Sequence, residues 1–324
     1  MAPRARVLAL VLLAAAGAAG LAVGGALLQS EGAEDAAGAA RTAAPPALQL
    51  NVFGRGREAR ALRAAERAYE KGDTREALAR FRSVLRGDPT SVEAAIGAAV
   101  ASWPEGTIAA LEDLAAEHPA NGVARLHLGL ALLARGEVEA AREEWREAER
   151  RDPDSPSALE AENLLHPRML RGRPYFIAAG TVPPRLARLP LDEQLAALRR
   201  RAARGGAAAW MEYGAELQRV GRPLSARMAF DRAVALAPGA VTARVAAAVS
   251  RFEKDNPAAA FSRLGPLARE HPRSAVVRFH LGYLLLWLGD LDEAKRQLRL
   301  GAEVGGAGVY GRTARRLLAA LREK

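Results

Sequence analysis

Residues 210–238 read WMEYGAELQRVGRPLSARMAFDRAVALAP. Trp210, Tyr213, Gly214 and Leu217 fall at i, i+3, i+4 and i+7, the spacing of one face of an α-helix. Ala226, Phe230 and Ala233 fall at i, i+4 and i+7 and mark a second helix, and Pro238 ends it. The same places return every 34 residues. Gly214 becomes Ala248 and Gly282, Ala226 becomes Ala260 and Ala294, Phe230 becomes Leu264 and Leu298, and Pro238 becomes Pro272 and Gly306. A fixed period of that length marks an array of stacked helical units, each burying its apolar face against its neighbours.

The spacings follow from packing two antiparallel helices. A small residue on the first helix (Gly129, Gly282) admits the second, Ala on the second (Ala141, Ala294) answers it, and a large residue four places on (Trp145, Leu298) fills the seam. Gly-acid pairs at Gly72-Asp73, Gly136-Glu137 and Gly289-Asp290 end one helix and begin the next. On these eight places the chain resembles the tetratricopeptide repeat family over about residues 57–153 and 207–306. The resemblance implies an all-α helical repeat solenoid whose concave side, lined by the first helix of each unit, holds a peptide.

The first half repeats the scheme. Phe81, Leu111 and Trp145 share one place, and Pro89, Pro119 and Pro153 another. The first step is 30 residues, with the deletion between Ala99 and Thr107, so the first helix of that unit is expected to be about one turn short. Residues 111–145 and 264–298 align without gaps at an offset of 153 and share 15 of 35 residues, including His127 with His280. The expected organisation is a signal-anchor at 1–30, a flexible linker at 31–56, and a first module with capping helix at 57–165. A proline-rich linker at 166–190 and a second module with C-terminal cap at 191–324 complete it. Tyr175-Phe176-Ile177 is the linker's apolar cluster, free either to dock on a module or to cross between them.

The net charge is +10, and 43 of the 47 basic residues are Arg. Such a surface fits anionic lipid or cell-wall polymer as well as a plain solvated coat. No nucleic acid partner is expected, since the basic residues are spread along the helices. There is no cysteine, which removes disulfides and thiolate metal sites.

Residues 7–28 are 22 apolar or small residues without charge, eight Ala and four Gly among them. As a helix they would reach roughly 33 Å at ~1.5 Å per residue, enough to cross the hydrocarbon layer. Arg4 and Arg6 precede the run and Glu31, Glu34 and Asp35 follow it. A single-pass transmembrane helix, Val7–Leu28, with a cytoplasmic N-terminus and extracytoplasmic repeats is expected. The competing reading is a cleaved signal peptide and a secreted or periplasmic protein.

No phosphate-binding loop, His-Glu-x-x-His pair or nucleophile elbow occurs. No enzyme activity, cofactor or metal is expected. His118 and His271 stand before prolines at helix ends, and His127 and His280 read as side chains on the inner face of each half. Phe279, Tyr283 and Trp287 are four apart on one helix and share a face. With His280 and Leu286 they form the candidate peptide-binding groove, unless that helix, apolar all round, is simply core. The expected function is a membrane-tethered, extracytoplasmic scaffold for a protein or peptide. A basic scaffold for anionic lipid or polymer is the alternative, and an enzyme with its site in the inter-module linker the remotest.

Overall fold

The computed structural model describes residues 44–321 apart from 53, 55 and 181. The candidate transmembrane run and the first part of the 31–56 linker lie outside the described residues. Among those described, no helix is long and apolar enough to cross a membrane.

All regular structure among the described residues is helical. The N-terminal half pairs α1 (Arg57–Glu70) with α2 (Thr74–Gly87), α3 (Val92–Ala101) with α4 (Thr107–Glu117), and α5 (Gly122–Ala134) with α6 (Val138–Arg151). It ends in α7 (Pro156–Leu165). A four-residue helix, α8 (Pro184–Ala187), and α9 (Leu191–Arg204) follow. The C-terminal half pairs α10 (Ala207–Arg219) with α11 (Pro223–Leu236), α12 (Val241–Val249) with α13 (Ala258–Glu270), and α14 (Ala275–Leu288) with α15 (Leu291–Gly305). It ends in α16 (Val309–Ala320). The element α3 is 10 residues long against 13 for α5, the shortening that the 30-residue step implies.

First helices pack on the first helices of the next pair: α1 on α3, α3 on α5, α10 on α12 and α12 on α14. Among the described residues the second helices do not pack on one another to the same extent, which puts the first helices on the inner, concave side of the stack. Turn chemistry sets the pairs. Gly72, Gly136 and Gly289 adopt φ of 83°, 87° and 79°, which a Cβ would strain. Asp73 and Asp290 then accept from the N–H of Glu76 and Glu293, capping α2 and α15. Within a pair the approach is close: a Cβ on Gly129 would lie 2.4 Å from Trp145 Nε1 and 2.9 Å from the Ala141 carbonyl oxygen.

Among the described residues most buried apolar side chains form two clusters, one from Leu48 to Ala161 and one from Phe176 to Leu318. Between them the chain is joined by polar groups. Asp154 accepts from the N–H of Leu224 (2.8 Å) and Ser225 (3.0 Å), from the Ser225 hydroxyl and from Arg222. Glu162 accepts from the Lys254 N–H at 3.0 Å and from Arg173 Nε at 2.7 Å.

Candidate peptide-binding grooves

The inner layer places His127 on α5 and His280 on α14, both fully buried. Each imidazole bonds its own helix through Nδ1, to the carbonyl oxygen of Val123 or Val276, at 2.7 Å in both cases. The carbonyl can only accept, so Nδ1 carries the proton and Nε2 a free lone pair. That lone pair accepts a backbone N–H at 3.0 Å, from Gln49 in one half and Ile177 in the other. Burial, opposed only by the carbonyl bond, holds both imidazoles neutral by pushing their pKa down to about 4.

Each groove is therefore filled by a non-helical piece of the same chain. Pro46-Ala47-Leu48-Gln49 occupies the N-terminal groove and Pro174-Tyr175-Phe176-Ile177 the C-terminal one. Their burial patterns match: proline buried, next residue partly exposed, Leu48 or Phe176 buried, next residue partly exposed. Burial of every second residue is the signature of an extended chain. Proline suits the buried first place because it brings no N–H that would need a partner.

The remaining bonds also go to main chain. In the N-terminal groove the Tyr69 hydroxyl donates to the Pro46 carbonyl at 2.6 Å, and the Leu50 N–H donates to Glu66 Oε1 at 3.0 Å. Arg63 donates to the carbonyls of Val52 and Gly54. Burial pushes the Tyr69 hydroxyl up to about 12 and raises the Glu66 carboxyl. In the C-terminal groove the Gln218 amide clamps Phe176, accepting from its N–H at 3.2 Å and donating to its carbonyl. The Phe176 ring lies flat on His280, centroids 4.9 Å apart, and edge-on to Phe230 at 5.8 Å.

The five residues read as a groove from sequence come together here and are closed over. Phe279, His280 and Tyr283 are 0% exposed, Leu286 1% and Trp287 4%. Tyr310 of α16 packs on Phe279 at 5.8 Å, Tyr175 on Tyr283 at 6.2 Å, and Phe252 on Trp287 at 6.3 Å. The cover is thus partly core and partly the chain's own segment. The apolar cluster Tyr175-Phe176-Ile177 docks rather than crossing free.

One expectation is corrected. The stretch 31–56 read as a flexible linker, yet its described residues 44–52 are seated, because Leu48 joins the N-terminal core and four polar side chains hold the backbone. Sequence reasoning passed over Pro46, Leu48, Tyr69, Glu66 and Gln218. The available signal was the shared pattern of proline, any residue, large apolar residue at 46–48 and 174–176.

Residues 104–165 match the family model described as Tetratricopeptide repeat. No curated protein matches the chain. Among solved structures it is similar to human IFIT1, seen as a dimer with PPP-AAAA, at 17% identity and a TM-score of 0.32, over 78% of this chain and 61% of that one. It is similar to a tetratricopeptide repeat protein of Parabacteroides merdae at 12% identity and a TM-score of 0.34, over 81% and 98%. A thermophilic TPR protein of Thermus thermophilus gives 19% identity and a TM-score of 0.29, over 60% and 100%. The chain spans about three fifths of the IFIT1 chain.

Proposed function

We propose that the chain is a protein-interaction scaffold that holds an extended segment of a partner in the concave face of its helical repeats. One observation carries this reading: both halves hold an extended stretch of their own chain at an equivalent place, through equivalent histidines. Surfaces whose polar groups pair with backbone and whose floor is apolar are built for added peptide. The reading includes two three-repeat modules, tethering of the repeats outside the cytoplasmic membrane through residues 7–28, and no catalytic step. The test is capture from native membranes by the full-length chain carrying a photoreactive residue in place of Leu130, a partly exposed neighbour of the N-terminal groove. A partner crosslinked at that position supports the reading. Partners crosslinked only when the photoreactive residue stands instead on an outer, second helix overturn it.

A second reading, binding of anionic lipid or polymer, is favoured by a cleft between α8 and α9. Arg185, Arg200, Arg201 and Arg204 line it around Leu186 and Ala197. Ala197, Arg200, Arg201 and Arg204 share one helix face by their spacing. Sedimentation with anionic vesicles, lost on raising salt and lost in R200E/R204E, would carry this second reading.

A further inference from the structure

We infer that the N-terminal groove is an exchange site for an extended partner segment of defined chemistry, and that residues 44–52 are the resident occupant which that segment replaces. The segment has proline, any residue, Leu or an aliphatic residue of similar size, and then a residue with a free backbone N–H. This rests on the groove-binding reading above and narrows it to one ligand class.

Two occupied grooves in one molecule supply the rule. The positions that agree between the occupants are the ones that touch the floor: Pro46 with Pro174, and Leu48 with Phe176, each pair buried. The positions that differ, Ala47 against Tyr175 and Gln49 against Ile177, are partly exposed and contribute backbone. At the fourth position only the N–H is read, by His127 or His280. Recognition by side chains aimed at main-chain N–H and carbonyl groups accepts any segment able to follow the path, and the pocket for the third residue selects among them.

The two occupants are not equally held. Ahead of the C-terminal one, the Gly172 N–H donates to Asn163 and Arg173 pairs with the buried Glu162. After it the chain runs into α8 and α9, and Gln218 grips Phe176 twice. Phe176 is also wedged between two rings. The N-terminal occupant buries the smaller Leu48, in a cluster that also holds Leu126. Its downstream side leads directly into α1, with Arg63 holding Val52 and Gly54. Residues 44 and 45, at its upstream side, are exposed. A tethered occupant competes at an effective concentration in the millimolar range, so a free segment binds well only once the resident one is weakened.

The test uses the full-length chain and a fluorescent peptide of residues 44–52. Gln49→Pro removes the N–H that His127 accepts, and Leu48→Ser removes the buried apolar group; either should free the groove. The peptide is expected to bind each variant at least tenfold more tightly than the unaltered protein. A peptide methylated on the Gln49 nitrogen, or carrying Asp for Leu48, should lose at least tenfold. If both variants fail to fold, the parent and N-methyl peptides are compared on unaltered protein at millimolar concentration, where the same preference is expected. Equal binding of parent and N-methyl peptides, or no binding in any form, overturns the inference. A membrane partner crosslinked at position 130 alongside such a failure would leave the groove-binding reading standing and remove only this ligand rule.

Discussion

The rings of Phe176 and His280 stack at 4.9 Å with their planes 13° from parallel, while the neighbouring Ile177 N–H meets His280 Nε2 at 3.0 Å. The imidazole is thus covered and bonded by the same segment, and it must be neutral to accept that bond. Its pKa is depressed from 6.5 to about 4 by burial, as is that of His127. In the window between, the unfolded chain binds the protons and the folded chain does not. The stability each histidine contributes is therefore complete above pH 6.5 and is lost as pH falls through 6.5 to 4, about 3 kcal/mol apiece. Glu66 and Glu149, raised chiefly by burial, act in the opposite sense. Nitrogen NMR of the imidazoles separates the contributions. Both histidines should show the Nδ1–H tautomer and no titration between pH 7 and 5; a midpoint near 6.5 at either would sink the latch.

Trp287 sits 4% exposed between Phe252 and Tyr283. Trp287→Ala should therefore lower stability by about 3–5 kcal/mol, the cost of emptying a packed aromatic site. A thermal melt decides it. An unchanged midpoint would show that the aromatic strip is not core.

The repeat places were legible because packing writes them with a period. Gly129 against Trp145 and Gly282 against Leu298 are local, recur at fixed spacing, and leave little choice of residue. The occupants were not legible for the converse reason. His127 and His280 are 153 residues apart, whereas Gln49 and Ile177 are 128 apart, so a search at the duplication offset passes over the segments. The C-terminal half spends 25 more residues between occupant and latch, and α8 and α9 lie within that span. Likewise the pattern of α14, apolar on every side, said that something covers Tyr283 but not that Tyr175 does.

Two glycines should respond unequally to the same change. Outside its own helix and chain neighbours a Cβ on Gly265 in α13 meets only Arg269 Nη1, at 3.9 Å, but Pro266 follows and disfavours a Cβ on the helical residue before it, so Gly265→Ala should change stability by less than about 1 kcal/mol. A Cβ on Gly129 would overlap Trp145 and the Ala141 carbonyl, and Gly129→Ala should cost about 1–3 kcal/mol net. Urea midpoints of the two variants are the measurement. A stable Gly129→Ala would mean that α5 and α6 pack less closely than described.

A proline-rich stretch between two halves would by itself let them melt separately, but Asp154 and Glu162 argue for one unit. Four donors converge on Asp154 and two on Glu162; five of these six bonds reach from the end of the N-terminal half to Arg222, Leu224, Ser225 and Lys254, and the sixth holds Arg173 of the stretch between. At about 1 kcal/mol net each, they couple the halves by several kcal/mol. That is comparable with the stability of a small domain, so one half cannot open while the other keeps its partners satisfied. Glu162 is the more consequential of the two, because it is buried and its loss would strand Arg173 and the Lys254 N–H together. The unaltered chain should therefore unfold in a single calorimetric transition. D154A/E162A should split it in two, with the N-terminal half, which holds the smaller occupant, melting first. Two transitions already present in the unaltered chain would show that these carboxylates join the halves without coupling them.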